Sequence, residues 1–78
     1  MSELLHKIEI KTPYITLGQM LKLTNEFESG GFIKHYLEET GVLLNGEREH
    51  RRGKKLYDND VIIVEEDNKY IIKQVDHV

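Results

Sequence analysis

Val42-Leu43-Leu44-Asn45-Gly46-Glu47-Arg48-Glu49-His50-Arg51-Arg52-Gly53-Lys54-Lys55 is the stretch on which the fold turns. Just before it, apolar residues recur at helical spacing. From Val42 onward the period shortens to that of strands. Val42-Leu43-Leu44 predicts a short strand. Asn45-Gly46 predicts a type I′ hairpin turn, whose two central residues both need positive φ. Arg48 to Lys55 then holds five of the eleven basic residues, on a chain whose formal net charge is −3. A concentrated cationic segment can hold a polyanion by displacing its counterions, even on a mildly acidic protein. Leu56-Tyr57-Asp58-Asn59-Asp60-Val61 reads as a further turn into a strand. The charges are therefore expected on a shaped loop.

Upstream, Ser29-Gly30-Gly31 opens a helix whose apolar stripe is Phe32, Ile33, Tyr36 and Leu37, with Lys34, His35 and Glu38 on the other side. Gly41 is placed to end it in the left-handed conformation. A shorter helix from Thr16 to Asn25 precedes it. Thr16-Leu17-Gly18-Gln19 fits a capping box, and Leu17, Met20, Leu21 and Thr24 share a face from which Lys22 points away. Before Pro13, Leu5, Ile8 and Ile10 alternate with charged residues as an amphipathic strand. Downstream, Val61-Ile62-Ile63-Val64 is β-branched throughout and predicts a central strand. Asp67-Asn68 turns the chain into a last strand over 70–75. The expected class is α+β: two short helices packed on a small antiparallel sheet of three to five strands.

The 78 residues form one domain on this reading. A chain of this size buries about 60% of its unfolded surface, so the core is small. Hydrophobic residues at 38% and charged residues at 32% indicate a globular chain. Without cysteine there is no disulfide, no thiolate metal site and no cysteine nucleophile. Met1 to His6 lacks the pattern of a secretory signal, and Val61 to Val64, the longest apolar run, falls far short of a bilayer span. A cytoplasmic protein is expected. Outside the basic segment acidic residues outnumber basic ones, so a nucleic acid would be repelled except at one face.

No catalytic constellation stands out. His6, His35, His50 and His77 lack metal-ligand spacing, Ser29 has no nucleophile-elbow sequence around it, and Glu38-Glu39 are adjacent and do not converge. Ser29-Gly30-Gly31 lacks the Gly-Lys-Ser/Thr ending of a nucleotide-binding loop. No enzyme, metal or cofactor is expected. Exposed aromatics at strand centres, the mark of a single-strand platform, are missing. Phe32 and Tyr36 read as core, which leaves Tyr57 and Tyr70 to stack.

Five segments in order carry a family resemblance: Thr16-Leu17-Gly18-Gln19-Met20-Leu21-Lys22, Ser29-Gly30-Gly31-Phe32-Ile33-Lys34, Val42-Leu43-Leu44-Asn45-Gly46-Glu47, Arg51-Arg52-Gly53-Lys54-Lys55-Leu56, and Asp60-Val61. Together they resemble the alpha-L RNA-binding motif of the S-four-like domain, over residues 15–64. The chain is most similar to the stand-alone bacterial members of the YaaA/YbcJ type. The resemblance implies RNA binding by the paired helices and the loop beside them. By position it assigns Lys22, Ser29, Lys34, Asn45, Arg51, Arg52, Lys54 and Lys55 to that surface. Ile33 stands where the family commonly has a small residue, and Asn59 where a glycine is usual.

The residues point the same way. Lys22 and Lys34 leave the solvent sides of their helices. Gly30 follows the Ser29 cap at a helix N-terminus, where backbone N–H groups can seat a phosphate. Arg48, Arg51 and Arg52 can fork onto phosphate oxygens, while Lys54 and Lys55 act as mobile charges. Double-helical RNA shows phosphates and 2′-hydroxyls across a wide minor groove, so a rigid cationic face reads its shape. The expected function is non-catalytic docking of structured RNA, ribosomal RNA or its precursor, by a monomer, with the ribosome or ribosome-assembly proteins as further partners and no membrane. A rival reading stays open. Strand-Asn-Gly-Glu with a later Leu-x-x-x-Asp-Val also occurs in β-grasp-like modules that bind protein partners. Sulfur carriers of that type end in Gly-Gly, whereas this sequence ends in Asp76-His77-Val78.

Overall fold

The computed structural model describes residues 5–24, 27, 29–65 and 68–75. In chain order the elements are β1 (Leu5–Ile10), β2 (Ile15–Thr16), α1 (Leu17–Leu23), α2 (Gly30–Glu39), β3 (Val42–Leu44), β4 (Glu47–Glu49), β5 (Lys55–Leu56), β6 (Val61–Val64) and β7 (Asn68–Gln74). The expected helix end at Asn25, the turn at Asp67 and the terminal Asp76-His77-Val78 lie outside the described residues.

Local signals explain most of these elements. Thr16 caps α1 with both halves of the capping box formed. Its hydroxyl accepts from the Gln19 N–H at 3.3 Å, and the Gln19 side chain accepts from the Thr16 N–H at 3.1 Å. Ser29 caps α2 by accepting from the Phe32 N–H. Gly41, at φ +78°, closes α2, and its N–H donates to the Tyr36 carbonyl. A Cβ there would lie 2.7 Å from the Glu49 carbonyl oxygen and 2.9 Å from the His50 ring, so glycine is required twice over. Asn45 (φ +51°) and Gly46 (φ +88°) make the β3–β4 turn, with Leu43 opposite Arg48.

The main sheet runs β1-β7-β6-β3-β4, with β6 at its centre, and β2 pairs with β5 in a separate two-stranded ribbon. The α+β class and strand number match expectation. The pairing differs at one edge, because β1 lies parallel to β7, from Leu5 opposite Lys69 to Ile10 opposite Gln74. The sheet is therefore mixed. Parallel neighbours need a long crossover, and here the helices and five strands intervene between the two. Alternation within β1 says which face it buries but not which way its partner runs.

The buried core joins Leu17, Met20 and Leu21 of α1 and Ile33 and Leu37 of α2 to Val42, Leu44, Ile62, Val64, Tyr70 and Ile72 of the sheet. Two aromatic expectations fail. Phe32 is 57% exposed, because Ile33 and Leu37, one helical turn apart, form the buried line and Phe32 lies about 100° round from it. Tyr70 is buried under the sheet, which withdraws it as a stacking surface. Tyr36 is half-buried, with Phe27 against its ring and its hydroxyl accepting from the Glu65 N–H. Among the described residues no helix is long and apolar enough to cross a membrane.

Candidate nucleic-acid interface

Three chain segments meet where α1, α2 and the loop after β4 come together. The loop is tied to the start of α1 by two backbone bonds: the Leu17 N–H donates to the Lys54 carbonyl at 2.8 Å, and the Gly18 N–H to the Arg52 carbonyl at 2.9 Å. First-turn helical N–H groups have no acceptor in their own helix, so the loop satisfies two of them. The aliphatic stem of Arg52 lies directly over Gly18. A Cβ at position 18 would collide with Arg52 Cγ and sit 3.1 Å from Cδ. Lys22 extends along the same side, its Cε 3.9 Å from where a Gly30 Cβ would be. Lys22, Gly30 and Arg52 line one cleft of about 290 Å³, with Gly18 and Ile33 beneath. Lys34 is exposed one helical turn after Gly30, on the same side of α2. Ser29 is held as the α2 cap beside that cleft.

A second groove of about 380 Å³ gathers Arg48, Arg51, Lys54 and Lys55 with Asn45, Tyr57 and Asp60. Its charge is less open than composition suggests. Arg51 donates through Nε to Glu49 Oε2 at 3.0 Å and through Nη2 to Oε1 at 3.3 Å, a forked pair. The His50 and Arg51 backbone N–H groups also donate to Glu49 Oε2. The Arg51 guanidinium foremost, helped by these backbone donors, lowers the Glu49 carboxyl to a pKa of about 2, against the opposing effect of burial. Glu49 thus shapes the loop and holds one of its five cations. Arg48, Arg52, Lys54 and Lys55 are in no ion pair among the described residues. His50 is exposed, with its Nδ1 2.7 Å from the Leu37 carbonyl oxygen near the end of α2.

Asn45 has structural work of its own. Its Oδ1 accepts from the Val61 N–H at 2.9 Å, and its Nδ2 donates to Asp60 Oδ1 at 3.0 Å. Asp60 Oδ2 in turn accepts from the Tyr57 N–H. Asn59 takes φ +73°, the conformation that glycine would otherwise supply. These bonds fix the turn that presents Tyr57 and Lys55.

Of the ten residues singled out from sequence, Lys22, Gly30 and Arg52 share the first groove, and Asn45, Arg48, Arg51, Lys54 and Lys55 share the second. Ser29 and Lys34 border the first through α2. Sequence reading missed three contributors. Gly18 gives Arg52 its seat. Glu49 is the anchor of the loop, although it lies within the basic segment. Tyr14 is 40% exposed, with Lys55 Nζ 4.8 Å from its ring centroid and the Tyr57 ring 6.0 Å away. Its position after Pro13, ahead of a two-residue strand, was the available signal.

Residues 8–73, which include both grooves, match the family model of the S4 domain. The chain belongs to the S4 domain family. It is 52% identical over 58 residues to the Probable ribosome maturation protein RlbA of Bacillus subtilis (strain 168), a match covering 74% of this chain and 82% of that protein. No solved structure matches the chain. In this S4 domain no group of three or more His, Cys, Asp or Glu residues is arranged to hold a metal ion among the described residues.

Proposed function

We propose that this S4 domain is a single, non-catalytic RNA-binding unit. It docks structured RNA, ribosomal RNA or its precursors, in the cytoplasm during ribosome maturation. The observation that carries this reading is the convergence of Lys22, Gly30 and Arg52, from three separate segments, on one cleft of an otherwise acidic chain. The name of the Bacillus relative supports the ribosomal setting. The Arg52 stem is seated over Gly18, and the guanidinium it carries can fork onto a phosphate. Lys22 adds a mobile charge beside it, and the N-terminus of α2 favours an anion at Gly30. Arg48, Lys54 and Lys55 extend the cationic track to a neighbouring phosphate run. Binding releases counterions, and the fixed spacing of the segments selects the shape of helical RNA.

The test is RNA retention as a function of salt. Contact with about four to five phosphates predicts a log–log slope near −3 to −4. Replacing Arg51, Arg52, Lys54 and Lys55 together by alanine should abolish retention and leave the overall fold intact, at the cost of the Glu49–Arg51 fork that shapes the loop. A flat salt response, or full retention by the folded quadruple variant, would favour the β-grasp-like reading in which the domain meets a protein. Crosslinking in cells, with sequencing of the attached RNA, identifies the target.

A further inference from the structure

A largely apolar groove of about 660 Å³ adjoins the two cationic ones, lined by Thr12, Pro13, Tyr14, Ile15, Gln19, Lys22 and Leu23. Tyr14 and Leu23 are exposed there, at 40% and 56%. Lys22 lines both this groove and the cleft it shares with Gly30 and Arg52. On the other side, Lys55 lies over the Tyr14 ring, and Tyr57 stands against it at an interplanar angle of 54°. Lys55 and Tyr57 themselves line the second cationic groove. The groove that holds Tyr14 therefore has Lys22 in its lining and Lys55 over the Tyr14 ring, and each lysine belongs to a different part of the basic face.

We propose that this groove is a subsite for a single unpaired nucleobase, stacked against Tyr14 beside Leu23, from an RNA whose paired flanks lie on the basic face. The proposal rests on the RNA-docking reading and names what that reading leaves out. Every nucleobase has an apolar π face, so a tyrosine ring accepts one irrespective of sequence. The sugar–phosphate chain on either side of an extruded base needs cations at both edges of its pocket, which Lys22 and Lys55 supply. Gln19, whose Oε1 accepts from the Thr16 N–H, has its amide NH2 to offer the edge of the base. An apolar side chain of a protein would fill the groove but gives no reason for paired lysines at its rims. Bases inside an RNA helix are out of reach, whereas a bulge or junction offers one already unstacked.

Two RNA hairpins with the same stem test this, one fully paired and one carrying a single bulged 2-aminopurine. Titrated with the full chain at low salt, the bulged hairpin should bind on the order of tenfold more tightly, with quenching of the bulge fluorescence. Tyr14→Leu keeps an apolar side chain and should erase both the preference and the quenching, so that the variant binds the two hairpins alike. Tyr14→Phe should preserve both. Should Tyr14→Leu fail to fold, the wild-type chain still decides: a bromouridine at the bulge should photocrosslink to Tyr14 or Tyr57, and crosslinks confined to other residues would overturn the subsite. Equal binding of the two hairpins, unaltered by Tyr14→Leu, also overturns it while RNA docking stands, and leaves the groove to a protein side chain. Binding of neither hairpin overturns both readings.

Discussion

Gly18→Ala isolates the contact that aims Arg52. Gly18 is the second residue of α1 and has an ordinary helical backbone, so alanine alone would stabilise the helix by about 1 kcal/mol. Its methyl group, however, collides with Arg52 Cγ and crowds Cδ at 3.1 Å, whereas the Arg52 carbonyl oxygen, at 3.4 Å, is in ordinary contact. The conflict is therefore with the side chain. Overpacking of this kind costs about 1–3 kcal/mol, so the net effect should be a loss of about 0–2 kcal/mol. In an Arg52→Ala background Cγ and Cδ are gone, and the same substitution should instead stabilise by up to about 1 kcal/mol. Urea denaturation of the wild type, both single variants and the double variant measures this reversal as a coupling energy. The RNA readout should run in parallel. Each single variant loses one phosphate contact, so the salt slope shrinks by about 0.9, and the double variant loses no more. Equal stability changes in the two backgrounds would refute the seat that Gly18 provides.

Two further perturbations probe the loop and its turn. The folded Glu49 carboxyl, at about 2, lies below its ordinary 4.5, so its contribution to stability is fully present above pH 4.5 and is lost as the pH falls toward 2. An NMR titration of the Glu49 carboxyl should show that midpoint, and in Arg51→Ala it should move up toward 4.5; a midpoint near 4.5 in the wild type would contradict the pair. Asn45→Ala removes an acceptor for the Val61 N–H and a donor to Asp60, and leaves alanine at φ +51°. The expected loss is about 2 kcal/mol by chemical denaturation.

The parts of this fold legible in the sequence are those governed by neighbours along the chain. Thr16 and Gln19 are three residues apart, Asn45-Gly46 dictates its own φ angles, and Gly41 ends α2 for local steric reasons. The central position of β6 follows from four β-branched residues in a row. What stayed hidden depends on contacts between distant residues. The direction of β1 is set by β7, more than sixty positions away. The exposure of Phe32 depends on which side of α2 meets α1. The cationic residues were visible as a cluster, but the division into two grooves was not, because it is produced by the backbone bonds from Leu17 and Gly18 to the loop. Tyr14 entered the site only when β2 paired with β5 and brought Lys55 over its ring. The role of Glu49 was hidden as well, because its fork with Arg51 and its two backbone bonds, which make it the residue that shapes the loop, follow from the folded path of the loop.

The claim at the centre of this account is that residues from α1, α2 and the loop form one RNA-docking face. Titrating the isotope-labelled chain with a fully paired RNA hairpin, and following every backbone amide by NMR, tests it directly. The amides of Gly18, Lys22, Gly30, Arg52 and Lys54 should shift together along one saturable curve that fades as salt is raised. Shifts confined to the far edge of the sheet around Lys7 and Glu9, or no saturable shift at low salt, would contradict it.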